Sequence, residues 1–211
     1  MLCLRFVIPT TILVVSFFLA AFTLPVMAKD VVAASTAEVE AVIIPAYVLD
    51  KEKSTLKFIA TQNNAPVEGR FTAFDATIAF DPDHVELSSI KVEVDMGSLV
   101  LADSQTQATL LTADWFNVAV NPKAVFVSDK VDNVPGTKDY YASGELTLRG
   151  VKAPATLNFS IGYMDDTKVV ASGYATLERT NFGVGQKEWA RDDVVKKSVR
   201  VEFRVTAIKK S

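Results

Sequence analysis

The strongest constraint on the fold of this chain is the alternation of apolar and polar residues with a period of two. The pattern is clearest over 199–207 (VRVEFRVTA), where every odd-numbered residue is apolar and every even-numbered residue is polar. The segments 91–96 (KVEVDM) and 155–163 (ATLNFSIGY) repeat it. A strand of this kind buries one face and exposes the other, as is typical of antiparallel sheets. The sequence therefore predicts an all-β protein.

Eight runs of this kind are expected to form strands. Turn-type sequences separate them, such as DPDH at 81–84 and VPGTKD at 134–139. The predicted strands are 46–62, 67–80, 88–96, 123–132, 139–149, 153–163, 167–179 and 198–209. One segment, 102–116, breaks the alternation and suits a short helix capped by Asp103 or Ser104.

Eight antiparallel strands, each with one apolar face, can close into a barrel that leaves no sheet edge. A barrel of this size either fills with side chains or holds one small ligand. A two-sheet sandwich is the alternative architecture. The distinction bears on function, because only the barrel has a natural cavity.

The first 28 residues have the layout of a secretory signal. Arg5 precedes an almost wholly apolar run over 6–24, and VMA at 26–28 supplies the small residues that a signal peptidase reads. An uncleaved membrane anchor is the alternative, since the apolar run nearly reaches the roughly 20 residues of a spanning helix. We expect cleavage near Ala28, export to the periplasm, a linker over 29–45 and a barrel domain over 46–211.

Composition argues against several classes of function. The net charge of −3 offers no basic surface for a nucleic acid. The single cysteine, Cys3, lies inside the predicted signal, so the exported domain has no disulfide. The single histidine, His84, lies in the polar DPDH turn, without a metal-ligand cluster or a GxSxG nucleophile motif. We therefore predict no catalytic residue, metal site or cofactor, and not an enzyme.

Apolar side chains dominate the predicted inner face. They can simply fill a core, or they can shelter an alkyl or isoprenoid chain, whose burial contributes about 25 cal/mol per Å². Trp115 and Phe116 end the predicted helix, either on the lid side of a tunnel or beneath the helix in the core. The candidate ligand contacts are Leu56, Phe58, Phe71, Ile78, Phe80, Val94, Trp115, Phe116, Phe126, Leu146, Phe159, Arg179, Phe182 and Phe203. Val92, Leu157 and Val201 complete the predicted inner wall.

The loop after the seventh predicted strand carries two of these candidates. Gly183 and Gly185 allow it backbone angles closed to other residues, so it can fold Phe182 back over a barrel mouth. Phe182 is then a gate on a lipid chain or a loop anchor. Arg179 is a donor to a polar head group, such as a quinone oxygen, or the partner of a nearby carboxylate.

Five motifs in order resemble one known family. They are YVLDKEKSTLKF from Tyr47, VEGRFTAFDATIAFDP from Val67, DWF…NPKAVF from Asp114, ASGELTLRGVKAP from Ala142 and RTNFGVG from Arg179. Together they resemble the YceI-like domain of bacterial exported proteins over about 160 residues. The resemblance implies a lipocalin-like, eight-stranded antiparallel barrel with a short helix, which binds polyisoprenoid chains, including quinone-like lipids.

Two features refine the resemblance. The Trp-Phe pair and FGVGQKEWA look most like the subgroup associated with membrane b-type cytochromes, which implies such a cytochrome as a possible partner. Thr106 and Gln107 stand where the family usually has an Arg-Asp pair, which leaves the head-group preference open.

The expected function is a non-enzymatic lipid carrier, with a homodimer possible. An enzyme acting on an isoprenoid-type lipid and a stress-related structural protein with a filled barrel are the alternatives.

Overall fold

A computed structural model describes residues 42–210, and the predicted signal peptide and residues 29–41 of the predicted linker lie outside this part. The described part contains eleven strands and one α-helix, α1 (Ser104–Leu111). The strands are β1 Ala46–Leu49, β2 Thr55–Gln62, β3 Ala65–Phe71, β4 Phe74–Ala79, β5 Ser89–Asp95, β6 Leu99–Leu101, β7 Lys123–Asn133, β8 Asp139–Leu148, β9 Val151–Met164, β10 Lys168–Glu178 and β11 Ser198–Lys209. Within 42–210, no helix has the length and apolar character needed to cross a membrane.

Short irregular segments divide the first two predicted strands, and another follows the third. A 3-10 turn at Lys51–Lys53 separates β1 from β2, and residues 72–73 separate β3 from β4. A third break, the 3-10 turn Met96–Ser98, separates β5 from β6. The prediction of single strands over 46–62 and 67–80 is therefore wrong in this respect, although each pair of pieces still runs along one line of the barrel wall.

Two of the breaks lie side by side and are held by specific hydrogen bonds. The Thr72 N–H donates to the Ser98 carbonyl at 3.2 Å, and the Asp95 N–H donates to the Ala73 carbonyl at 3.0 Å. The Asp95 carboxylate also accepts from the Gly97 N–H at 2.8 Å, which caps the short turn. The backbone groups that leave the sheet ladder are thus paired locally.

The sheet closes on itself. Its order is β1–β4–β5–β7–β8–β9–β10–β11, and β1 also pairs with β11, so Tyr47 lies opposite both Ile78 and Lys209. The remaining strands, β2, β3 and β6, extend this ring at the end away from the β9–β10 turn. There β2 pairs with β11 and β3, and β3 pairs with β6. The closed, eight-stranded antiparallel barrel is confirmed, and the sandwich is excluded.

Two hydrophobic clusters lie at opposite ends of the barrel. At the lower end, near the β9–β10 turn, the Phe80 ring lies 5.2 Å from Tyr140 and 6.3 Å from Phe159. Tyr140 and Phe159 stack at 5.5 Å, so three aromatic rings pack together there. The buried residues of the upper cluster are Phe58, Leu99, Leu110, Trp115, Phe182, Val184 and Val195.

Helix α1 begins where a predicted cap lies and ends earlier than predicted. The Asp103 carboxylate accepts from the N–H groups of Gln105 and Thr106, which satisfies the free donors of the first turn. The helix stops at Leu111, because Thr112 takes an extended backbone with ψ of 172°. Trp115 and Phe116 therefore lie in the turns after the helix, not at its end.

Candidate functional site

A cavity of about 250 Å³ lies within the barrel. Thirty-seven side chains line it, and the nitrogen and oxygen atoms among them belong to Tyr47, Trp115 and Arg179. On β11 the lining runs from Val199 to Ala207, which corresponds to roughly 26 Å of strand at about 3.3 Å per residue. The cavity is therefore long and narrow, a shape that suits an extended chain better than a compact ligand.

All fourteen candidate ligand contacts line this cavity. The three further inner-wall residues, Val92, Leu157 and Val201, line it as well. The alternation thus placed the strand residues on the inner face correctly. Contact of these residues with a ligand stays a prediction.

The predicted contacts and inner wall left out some large apolar strand residues, such as Ile90, Leu148 and Val169, together with alanines and residues from outside the strands. Alanines supply much of the missed wall, and they share the parity of the large apolar residues on their strands. These alanines are Ala60, Ala76, Ala124, Ala155, Ala171, Ala175 and Ala207. The alternation already includes Ala155 and Ala207 as apolar positions, and the same parity would have found the others. Leu110, Val184 and Val195 come from helix α1 and the long connection between β10 and β11, where no period marks an inner face.

Two glycines make room for large rings in the wall. A Cβ on Gly69 would lie 2.4 Å from Phe58 Cε1, and a Cβ on Gly173 would lie 2.6 Å from Phe203 Cζ. Gly69 pairs directly with Phe58, and β2 and β3 keep one register without a bulge. The glycines let Phe58 and Phe203 lie flat against the neighbouring strand.

Arg179 lines the cavity, but its guanidinium is directed at the protein backbone. It is 4% exposed, and burial lowers its pKa. Its acceptors, at 2.6–3.3 Å, are the carbonyls of Val184, Gly185, Trp189, Arg191, Val195 and Lys196. All three guanidinium nitrogens are thus engaged, and Arg179 forms no salt bridge within residues 42–210. Neither role considered for it, carboxylate partner or available head-group donor, fits this arrangement.

The connection that Arg179 holds covers the upper end of the barrel. Gly183 and Gly185 have positive φ values of 64° and 74°, as expected for the flexible loop predicted here. The N–H groups of Gly185 and Gln186 both donate to the Asp114 carbonyl, at 2.9 and 2.8 Å. Lys187 pairs with the Asp114 carboxylate at 2.9 Å. This connection and the turns after α1 therefore form one joined cover.

Three aromatic residues lie under this cover. Phe182 is 1% exposed and Trp115 is 7% exposed, and both belong to the upper cluster. Phe116 packs against the same cluster, with its ring edge-on to Phe71 at 6.5 Å. Each therefore both packs in the upper core and lines the cavity, so the choice between gate and anchor depends on the effect of substitution.

Gln107 connects helix α1 to the barrel wall. Its side-chain amide oxygen accepts from the Leu101 N–H of β6 at 3.0 Å. Thr106 instead bonds back to the capping residue Asp103 through its hydroxyl. A neutral amide thus ties the helix to the barrel at one of the two positions where the resemblance expects a charged pair.

The described residues hold no cluster of three or more His, Cys, Asp or Glu that could bind a metal ion. His84 lies near the surface, with Nδ1 3.8 Å from a carboxylate oxygen of Glu86. At the lower end of the cavity, burial and then the Asp81 charge raise the pKa of the Tyr47 hydroxyl. Tyr47 therefore stays protonated at neutral pH.

These features define a class of protein: a closed, lipocalin-like barrel around an elongated apolar cavity. Residues 47–207 match the family described as the YceI-like domain. The chain belongs to this family, because the match covers well over half of its length.

Relatives and solved structures agree with this assignment. A UPF0312 protein of Pseudomonas aeruginosa (strain LESB58) is 32% identical over 121 residues, 55% of this chain. The match covers 62% of that relative's length. The crystal structure of Burkholderia cenocepacia BcnA has a TM-score of 0.70 at 28% identity, covering 75% of this chain and 98% of BcnA. A polyisoprenoid-binding domain from Saccharophagus degradans shares the fold and is implicated in plant cell wall breakdown. Its TM-score is 0.62 at 16% identity, and the match covers 78% of this chain and 98% of that domain.

Proposed function

We propose that this protein is a periplasmic, non-enzymatic carrier that holds one long apolar lipid, a polyisoprenoid or an isoprenoid quinone, inside the barrel. The observation that carries the proposal is the lining of the cavity, which is apolar except for the polar atoms of Tyr47, Trp115 and Arg179. Each methylene transferred into such a lining contributes about 0.8 kcal/mol to binding. The polyisoprenoid-binding domain of Saccharophagus degradans, which has the same fold, supports the same ligand class.

The lining also supports a non-enzymatic role. General acid or base catalysis requires a titratable group at the ligand with a pKa near the working pH. The two titratable lining residues are Tyr47, whose pKa is raised, and Arg179, whose guanidinium nitrogens all donate to carbonyls. An enzyme acting on an isoprenoid-type lipid is therefore the less favoured proposal.

A structural protein with a filled barrel is the second candidate. The volume of about 250 Å³ favours it, because ligand pockets usually enclose about 300–1,000 Å³. The elongated shape argues for the carrier, since an extended chain needs little width.

Extraction of the purified protein separates the two candidates. The protein is purified without detergent from the periplasmic fraction, extracted with organic solvent, and the extract is analysed by mass spectrometry. The carrier proposal expects about one isoprenoid-type lipid per chain. An extract without stoichiometric lipid, from a protein that also fails to bind added lipid, would leave the filled barrel as the better account.

The proposal extends to export and partners. Export rests on the charge–apolar–VMA layout of the first 28 residues, and N-terminal sequencing of the exported protein tests cleavage near Ala28. The membrane b-type cytochrome rests on the resemblance of the Trp-Phe pair and of FGVGQKEWA to the cytochrome-associated subgroup. Co-purification from solubilised membranes tests the cytochrome, and light scattering tests the homodimer.

A further inference from the structure

Trp115 brings a polar atom to the upper end of the cavity. The residue lies in the turns after α1, is 7% exposed and lines the cavity. Its ring centroid lies 5.6 Å from that of Trp189. The indole is therefore held in place by the joined cover and the upper cluster.

The indole nitrogen of Trp115 lacks an acceptor. Nε1 is buried and has no hydrogen-bond partner among residues 42–210. An indole can only donate, so the missing group is an acceptor. A buried donor without a partner costs about 1–3 kcal/mol, and such groups are rare in folded proteins. An acceptor from outside the protein would remove this cost.

The Trp115 ring turns its benzene edge, and not its nitrogen, towards the connection between β10 and β11. A Cβ on Gly185 would lie 3.3 Å from Cζ3 of Trp115, so the benzene edge faces the β10–β11 connection. Nε1 is on the opposite edge of the indole and therefore points away from Gly185.

The other polar lining residues do not offer a donor at this end. The nitrogens of Arg179 already donate to six carbonyls. Tyr47 lies in β1, opposite Ile78 and Lys209, at the lower end of the barrel. Among the lining residues, the donor left for a ligand at the upper end is Trp115 Nε1–H.

We infer that Trp115 Nε1–H binds the head group of the lipid, and that this head group is a neutral acceptor such as a quinone, ester or amide carbonyl. The inference rests on the proposed function and refines it. A pyrophosphate head carries several charged oxygens, whereas the lining offers one free N–H and a guanidinium whose N–H groups already donate to carbonyls, so most of its charge would be buried without hydrogen bonds, which is unfavourable. A pure hydrocarbon would leave Nε1 without a partner. The site thus selects isoprenoid quinones over isoprenoid phosphates.

Binding measurements with paired ligands test the inference. Decylubiquinone carries carbonyls, decylbenzene has the same chain without an acceptor, and farnesyl pyrophosphate carries an anionic head. Titration calorimetry measures each with the wild type, Trp115→Phe and the control Trp189→Phe. Loss of one hydrogen bond of about 1 kcal/mol corresponds to a roughly fivefold weaker affinity. We expect this loss only for decylubiquinone with Trp115→Phe, and we expect farnesyl pyrophosphate to bind the wild type most weakly.

The two tryptophans of the chain make a direct readout possible. Each gives one indole N–H resonance in a ¹⁵N–¹H spectrum, and the two Phe variants assign them. Decylubiquinone should shift the Trp115 indole proton downfield, and decylbenzene should not. This readout uses the wild type, so it stands even if Trp115→Phe folds poorly.

The outcomes separate the inference from the proposed function. If decylubiquinone and decylbenzene bind but neither the variant nor the resonance distinguishes them, the inference is wrong and the carrier function stands. An ordered water is then the partner of Nε1. If farnesyl pyrophosphate binds more tightly than the quinone, the neutral head group is wrong. If none of the three binds the wild type, the proposed function fails together with the inference.

Discussion

Replacing Arg179 by Met should destabilise the protein strongly, even without any ligand. Methionine keeps an apolar chain in the site but removes every donor. The guanidinium donates to six backbone carbonyls, and the residue is 4% exposed, so water cannot readily replace it. If Arg179 holds the cover in place, the lipid-free protein depends on it.

The magnitude follows from the carbonyls left behind. Hydrogen bonds to a charged group contribute about 1.5–3 kcal/mol each, but the cost of burying the guanidinium offsets part of their sum. Removing one partner of a buried charged network costs about 3–5 kcal/mol, and we expect a loss in this range. For a domain of this size, each kcal/mol lowers the melting temperature by about 2–4 °C, which gives a shift of roughly 6–20 °C.

Urea unfolding of the lipid-free protein, followed by tryptophan fluorescence, measures the loss. Arg200→Met is the matched control, because Arg200 lies on the outer face, over the Tyr174 ring at 3.8 Å and beside Glu202 at 2.9 Å. An exposed contact of this kind contributes at most about 1 kcal/mol. If Arg179→Met unfolds within about 1 kcal/mol of the wild type while lipid binding is lost, Arg179 is a ligand donor and does not hold the cover in place.

Three further predictions concern the cover, the wall and a surface turn. Phe182→Ala should lower the free energy of unfolding by about 3 kcal/mol or more, because Phe182 is 1% exposed. The same substitution should speed lipid release, and an unaltered release rate would remove Phe182 from the binding site. Gly173→Ala should destabilise the protein by more than about 2 kcal/mol in thermal unfolding, because its Cβ would lie 2.2 Å from the Asn158 carbonyl oxygen. Gly162→Ala is the control, since its Cβ would approach no atom closer than 3.7 Å, and equal destabilisation by both substitutions would contradict the packing argument. Hydrogen bonds lower the pKa of the Asp165 carboxyl, and the bond from the Tyr163 hydroxyl makes the largest contribution. The ionised carboxylate therefore stabilises the fold above about pH 4, and this stabilisation is lost as the pH falls through the folded pKa. Asp165→Asn should therefore flatten the fall in stability between about pH 4 and pH 2, and an unchanged acid limb of the stability curve would argue against this.

The period-two pattern predicted the strands and their inward faces because it is a property of each strand by itself. Inward positions such as Phe126 and Phe159 follow from counting along one strand. The choice between a closed barrel and a sandwich did not follow, because it depends on the pairing of β1 with β11. The breaks at Met96–Ser98 and at residues 72–73 did not follow, because they depend on hydrogen bonds between neighbouring strands, which no period records. A two-residue turn at Asn63–Asn64, with φ of 49° and 61°, could have been read from the residue types.

The upper end of the cavity was less predictable for a different reason. The acceptors of Arg179 are backbone carbonyls, which every residue has, so no side-chain type identifies them. The lack of an acceptor for Trp115 Nε1 likewise depends on three-dimensional packing. Whether the apolar residues fill the barrel or line a cavity depends on how closely aromatic rings such as Phe58 pack against glycines such as Gly69 in the wall.

Filling the cavity tests the central claim most directly. Ala171 lines the cavity, whereas the next residue, Ser172, is exposed on the outer face of the same strand. Native mass spectrometry of the wild type, Ala171→Phe and Ser172→Phe, each incubated with an isoprenoid quinone, counts the lipids bound per chain. A lipid inside the barrel predicts one lipid on the wild type and on Ser172→Phe, and none on Ala171→Phe while it remains folded. Equal lipid on all three proteins, or none on the wild type, would contradict binding inside the barrel.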